Sequence, residues 1–192
     1  MFLRLLITFA LLTAPPAQAA RQALVIGNGN YTSVAKLQKA GNDAAAMARE
    51  LKAAGFAVQL HCDLNYRAMV RAVENFAGGI KGGEEVVVFY AGHGVQVAGI
   101  NYLPEVDADI QSEEDVALNS LNLNTLMERL DEAKAGLKLL FLDACRNNPY
   151  ALSLRSNDRG LARFSAAPSG TLCCAWTEPE IFSSTKRRAS IL

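Results

Sequence analysis

His93 stands between two glycines in "YAGHGV" (90–95), and Cys145 follows a carboxylate in "LDACRNNPY" (142–150). An imidazole titrates near neutral pH and so suits proton transfer. A thiol becomes a strong nucleophile once it loses its proton. Both residues come just after runs of large apolar residues, "EVVVFY" (85–90) and "LKLLFL" (137–142). A buried strand has no use for a carboxylate and a thiol at its exit, so their placement asks for a role. If the two strands are neighbours, a base and a thiol stand side by side, and the thiolate can attack a carbonyl. The flanking glycines are expected to let the backbone turn sharply and to leave the imidazole uncrowded. A metal centre is the rival use of these residue types. It needs three or four converging ligands, whereas the chain offers only His61 and His93 and no C-x-x-C pair. No metal is expected.

The elements that must position this pair alternate along the chain. "ALVIG" (23–27) reads as a strand and "NDAAAMARELKAAG" (42–55) as a helix with an Asn/Asp start and a Gly stop. "FAVQL" (56–60) is a strand, and "NYRAMVRAVENFAGG" (65–79) a helix with Met69, Val70, Val73 and Phe76 on one stripe. The two apolar runs named above are strands, separated by a helix over "NTLMERLDEAKAG" (124–136), and "GTLCCAW" (170–176) is a fifth strand. Such alternation predicts an α/β fold with a mostly parallel sheet flanked by helices on both faces. The strands from Val86 and Leu137 are expected to be apolar on both sides. Chemistry in such sheets lies beyond the C-terminal strand ends, which is where His93 and Cys145 fall. "GNGNY" (27–31) also follows a strand, but no helix starts at once and G-x-G-x-x-G is absent. A loop needing left-handed residues is expected there rather than a phosphate cradle.

The chain's 192 residues suit one domain, and 51% hydrophobic with 20% charged residues describes a globular protein. Lys+Arg and Asp+Glu both number 19, which gives no basic field for nucleic acid. Residues 1–19 carry Arg4, a short apolar stretch and Ala17-Gln18-Ala19, the pattern of a secretory signal with an A-x-A cleavage site. Pro15 and Pro16 argue against an anchor helix, and the apolar stretch is too short to span a membrane. The mature chain, with a net charge of −1, is expected in the periplasm or secreted. Of the four cysteines, Cys62, Cys145, Cys173 and Cys174, the adjacent pair points to opposite faces if it lies in a strand, and no structural disulfide is expected.

Together, "YAGHGVQ", "LDACRNNP", "LQKAGNDAAAM" and "NYLPEVDAD" resemble the motifs of the caspase–metacaspase superfamily of cysteine peptidases, in order over about residues 22–177. The A-C-R triplet and the gap of 52 residues from His93 to Cys145 match the caspase spacing. The resemblance implies a caspase-like fold, Cys145 as nucleophile and His93 as general base and acid. It also implies an oxyanion held by the backbone N–H groups of Gly94 and Cys145. Caspases carry Gln two residues before the cysteine; this chain has Asp143 there, as metacaspases do, and Asp43 matches their second pocket acid. Two carboxylates facing one slot favour a cation between them, so the implied substrates are proteins or peptides cut after Arg or Lys. No cofactor is implied. Some metacaspases need calcium, but "DADIQSEED" (107–115) lacks regular calcium-loop spacing and reads as a solvated acidic loop.

The resemblance covers an expected domain at 20–179 and stops after Pro179. A divergent tail, 180–192, stands where the family continues with another strand and helix. That leaves a second reading, a catalytically weak caspase-like binding module. A last expectation concerns "YALSLRSNDRGLARFSAAPSG" (150–170), which reads as an exposed loop. Relatives are often processed in this region, so self-cleavage is expected after Arg155, Arg159 or Arg163.

Overall fold

The computed structural model of the protein describes residues 20–144, 148–150, 154, 161, 170–176 and 190–191. The expected signal segment, Cys145, the three loop arginines and nearly all of the expected tail lie outside these residues. In chain order the elements are β1 (Arg21–Gly27), α1 (Ala40–Ala53), β2 (Ala57–Cys62), α2 (Tyr66–Gly79), β3 (Glu85–Gly92), β4 (Val95–Val97) and β5 (Ile100–Pro104). There follow α3 (Glu113–Leu118), β6 (Ser120–Asn122), α4 (Leu123–Glu132), β7 (Leu137–Ala144), β8 (Thr171–Trp176) and β9 (Ser190–Ile191).

The main sheet has the order β2-β1-β3-β7-β8-β9; every pairing is parallel except that of β9. Both faces carry helices. On one face α1 lies over β1 and β3 through Ala40, Ala44 and Ala48, against Val25, Phe89 and Ala91. Its small residues let the helix come close. On the other face α2 presents Met69, Ala72, Val73, Phe76 and Ala77, the stripe of an amphipathic helix, while α4 adds Leu126, Met127 and Leu130. Leu24, Ile26, Val88, Leu140 and Leu142 complete that core. The ammonium group of buried Lys138 on β7 pairs with Asp131 of α4, so a charge inside the sheet face is compensated.

Central strand β3 is buried on both faces, as its apolar run predicts. β7 is not: Lys138, Leu140, Leu142 and Ala144 are buried, whereas Leu139, Phe141 and Asp143 are half-exposed. The reason is the reach of α1, which covers β1, β2 and β3. This half-open strip beside α1 turns out to carry Asp143.

The acidic stretch at 107–115 is also not simply a solvated loop. Ser112 and Asp115 form a reciprocal cap on α3, and Glu113, Glu114 and Asp115 occupy its first turn. Their charges favour the positive end of the helix dipole. Among the described residues no group of three His, Cys, Asp or Glu side chains could hold a metal ion, and no helix is long and apolar enough to cross a membrane. Strands β4, β5 and β6 form a small antiparallel sheet in the connection between β3 and β7, absent from the sequence reading because each is so short. Cys62, Cys173 and Cys174 are free thiols.

Candidate active site

The sheet reverses its direction of growth at β1. From β1 the chain goes outward to β2 by way of α1, then returns on the opposite side of β1 as β3. Loops leaving β1 and β3 therefore meet at the C-terminal edge of the sheet, the edge where such folds place their chemistry.

The loop after β1 is fixed from several sides. Asn28 is fully buried; its amide donates to the Pro104 carbonyl and the Met69 sulfur and accepts from the Leu64 N–H. Asp63 accepts from the Gly29 and Asn30 N–H groups and from the Asn30 side chain. Gly27 and Gly29 lack left-handed backbone angles, so the expected reason for these glycines fails. They permit close approach instead. A Cβ at Gly27 would stand 2.7 Å from that of Ala44, and one at Gly29 would stand 2.5 Å from the Leu37 carbonyl oxygen.

This held loop presents the Ala35 carbonyl to His93. The imidazole Nε2 lies 2.8 Å from that oxygen. A carbonyl only accepts, so Nε2 carries the proton and the neutral ring keeps its lone pair on Nδ1. Nδ1 is buried and has no hydrogen-bond partner among the described residues. Burial pushes the imidazole below its ordinary value, and the Ala35 carbonyl opposes this less strongly. The group is thus an orientated neutral base at neutral pH.

The register then brings the two motifs together. β3 and β7 are neighbours, with Ala91 opposite Asp143 and Gly92 opposite Ala144. In the sequence the next residues after the two strands are His93 and Cys145. Gly94 touches this junction too, since a Cβ there would stand 3.2 Å from that of Ala144. Neither Gly92 nor Gly94 has a left-handed backbone, so conformational freedom of that kind is not what these glycines supply. Both are glycines because their surroundings leave no room. At Gly92 a Cβ would meet the Tyr90 hydroxyl at 2.4 Å and the Tyr31 hydroxyl at 2.9 Å; at Gly94 it would meet Leu161 Cδ2 at 2.7 Å.

Asp43, in the first turn of α1, and Asp143, at the exit of β7, line the same cleft of about 320 Å³, with Lys36, Lys39 and Gly92. Both also border an adjoining, more apolar cleft of about 460 Å³ with Met47, Phe89 and Phe141. The two acids named from sequence are therefore brought together beside the His93 turn. Sequence reasoning missed Lys36 and Lys39 at this cleft. It also missed the Ala35 carbonyl, which no residue type could reveal, and Tyr31 and Tyr90. The signal available for Tyr31 was an aromatic inside a loop otherwise rich in Gly and Asn.

Three described residues after the cysteine motif are packed rather than exposed. Tyr150 and Leu154 are buried with Val95 and Tyr102 under the small sheet, and Leu161 packs on the main core.

Known proteins resemble this chain in sequence and in fold. Residues 20–187 match the family model of the caspase domain of C14 peptidases. The chain is 30% identical over 139 residues to the human mucosa-associated lymphoid tissue lymphoma translocation protein 1, covering 72% of this chain and 16% of that protein. The mouse homologue matches with the same identity and coverage. The chain thus spans about a sixth of the length of these curated relatives. Among solved structures, protein GSU0716 from Geobacter sulfurreducens superposes with a TM-score of 0.59 at 16% identity, over 81% of this chain and 72% of that one, a likeness of fold.

Proposed function

This chain belongs to the caspase-domain family of cysteine peptidases, and on that premise we propose that it is an endopeptidase cutting after Arg or Lys with a His93–Cys145 dyad. His93 Nδ1 takes the proton from the Cys145 thiol. The thiolate attacks the scissile carbonyl, and the resulting oxyanion is held by the N–H groups of Gly94 and Cys145. The imidazolium returns its proton to the leaving amine, which departs and leaves a thioester. Water, deprotonated by His93, hydrolyses the thioester and restores the thiol.

One observation carries the proposal. A neutral imidazole, orientated by a carbonyl through Nε2, stands at the end of a strand whose neighbour runs in register with it up to Ala144, one residue before Cys145 in the sequence. The pocket occupied by Asp43 and Asp143 supports a basic side chain as the selected group. The test compares fluorogenic Arg-, Lys- and Asp-amide peptides on the parent and on Cys145→Ala, with and without a thiol alkylator. Cleavage of the Arg and Lys substrates, lost on alkylation and in the variant, is expected. Absence of cleavage, or cleavage that survives Cys145→Ala, overturns the dyad. Residues 1–19 further support export, expected to yield a mature chain beginning at Ala20 on N-terminal sequencing of the exported protein.

A further inference from the structure

The backbone of His93 is held at both its polar groups by two phenols. Its N–H donates to the Tyr31 hydroxyl at 2.9 Å, and its carbonyl accepts from the Tyr90 hydroxyl, also at 2.9 Å. The two hydroxyls are 3.1 Å apart. A phenol has one proton to give. Tyr90 gives its proton to the His93 carbonyl, so Tyr31 must be the donor between the hydroxyls. Every bond then runs in one sense: His93 N–H to Tyr31, Tyr31 to Tyr90, Tyr90 to His93 C=O. The circuit begins and ends on one residue, and its bonds polarise one another in a buried setting. Tyr31 also stacks on the imidazole, with ring centroids 4.5 Å apart and planes inclined at 51°. Gly92 supplies an independent sign of the arrangement, because both hydroxyls fill the space a Cβ would need.

We propose that Tyr31 and Tyr90 are positioning residues for the peptidase base, fixing the His93 peptide and ring so that Nε2 meets Ala35 and Nδ1 stays free for the thiol. The proposal deepens the peptidase reading above and rests on it. Three separate parts of the chain meet here: the loop after β1 gives Tyr31 and Ala35, β3 gives Tyr90, and the turn beyond β3 gives His93. Tyr90 is entirely buried, and burial with Tyr31 beside it drives its ionisation well above the ordinary value. The Tyr90 hydroxyl therefore stays protonated throughout the working range of an imidazole. Packing alone would require the two rings but not their hydroxyls, so replacement by phenylalanine separates the two roles.

The experiment uses Tyr31→Phe, Tyr90→Phe and the double variant, with Phe76→Leu as a control. Phe76 is buried in α2 and carries no hydroxyl, so its loss lowers stability without removing a hydrogen bond of the circuit. Two readouts are taken: kcat and KM for an Arg-amide peptide, and the His93 tautomer and titration by imidazole nitrogen NMR. Each single variant is expected to lower kcat about 10-fold with KM within about twofold, the size of a general-base effect partly lost. Because either change opens the same circuit, the double variant should be no worse than the singles. The NMR should show the Nε2–H form in the parent and a mixture in the variants, with titration moving toward the ordinary value. Unchanged kcat and tautomer in both singles would overturn the proposal. So would a double variant losing the product of the two single effects, or an equal loss of kcat in Phe76→Leu. If the parent cleaves nothing, the peptidase reading fails separately, and the tautomer measurement still decides whether the phenols position His93.

Discussion

His93 is only 5% exposed, and that burial decides its pH behaviour. The folded imidazole titrates below its ordinary value of 6.5, so between the two values the unfolded chain binds more protons than the folded one. Stability then rises with pH through this window. It is fully present above about 6.5 and is lost as pH falls toward the depressed folded value. Urea titrations at several pH values should show this slope in the parent and a flatter one in His93→Gln. Turnover should likewise keep its base neutral at lower pH than a free imidazole would allow, seen as an acid limb of kcat/KM lying below 6.5. The two pocket acids should differ. Asp143 is half-buried at the strand exit, whereas Asp43 is exposed on α1, where water screens it. Asp143→Ala is expected to lower kcat/KM for Arg substrates at least about 30-fold, the equivalent of about 2 kcal/mol, and Asp43→Ala about fivefold or less. Alkylation of Cys145 by a small reagent should be untouched by either change. Equal losses in the two variants would deny Asp143 the leading role.

Helix α1 carries Asp43, the lesser of the two proposed pocket acids, and closes one side of the cleft. Its distance from the sheet is set by Gly27, whose missing Cβ leaves room for Ala44 and for the Ala40 carbonyl. Gly27→Ala would push a methyl to 2.7 Å from the Ala44 methyl and 2.8 Å from that oxygen. Neither neighbour is a flexible side-chain end, so the helix itself must shift. The expected cost is about 1–3 kcal/mol, read as a lower urea midpoint. A higher KM for Arg substrates should accompany it, since Asp43 moves with the helix while His93 follows β3. A destabilised variant with an unchanged KM would show that α1 does not set the pocket.

At the scale of the whole molecule, three described residues between the cysteine motif and β8 are packed: Tyr150 and Leu154 are buried, and Leu161 lies where a Cβ at Gly94 would meet it. Arg155 and Arg159 fall between Leu154 and Leu161 in sequence, and Arg163 follows Leu161. If the proposed Arg/Lys selectivity holds, the chain carries its own substrate side chains in this stretch, and the effective concentration of these bonds at a neighbouring site is high. Cuts after one or more of Arg155, Arg159 and Arg163 are expected in the parent and none in Cys145→Ala, measured as intact masses of the two proteins purified side by side. Identical uncut chains would count against self-processing.

The sequence by itself determined the order of the main strands and helices and the parallel central sheet, and it showed a histidine motif and a cysteine motif at the ends of two of those strands. These follow from local periodicity and from residue types that report their own chemistry: an imidazole, a thiol and two carboxylates. It also placed Asp43 and Asp143 in a common pocket before any geometry was known, through the family's motifs rather than through spacing. Tertiary structure alone decided the rest. The hydrogen-bond partner of His93 is the carbonyl of Ala35, a main-chain group that every residue carries and no side chain announces. The glycines around His93 and after β1 look like turn residues in the sequence; what they face in space, two phenols at Gly92 and a helix at Gly27, shows them to be points of close approach. Tyr31 and His93 are 62 residues apart along the chain, and only the closing of β1 against β3 brings a loop phenol onto the peptide of the base.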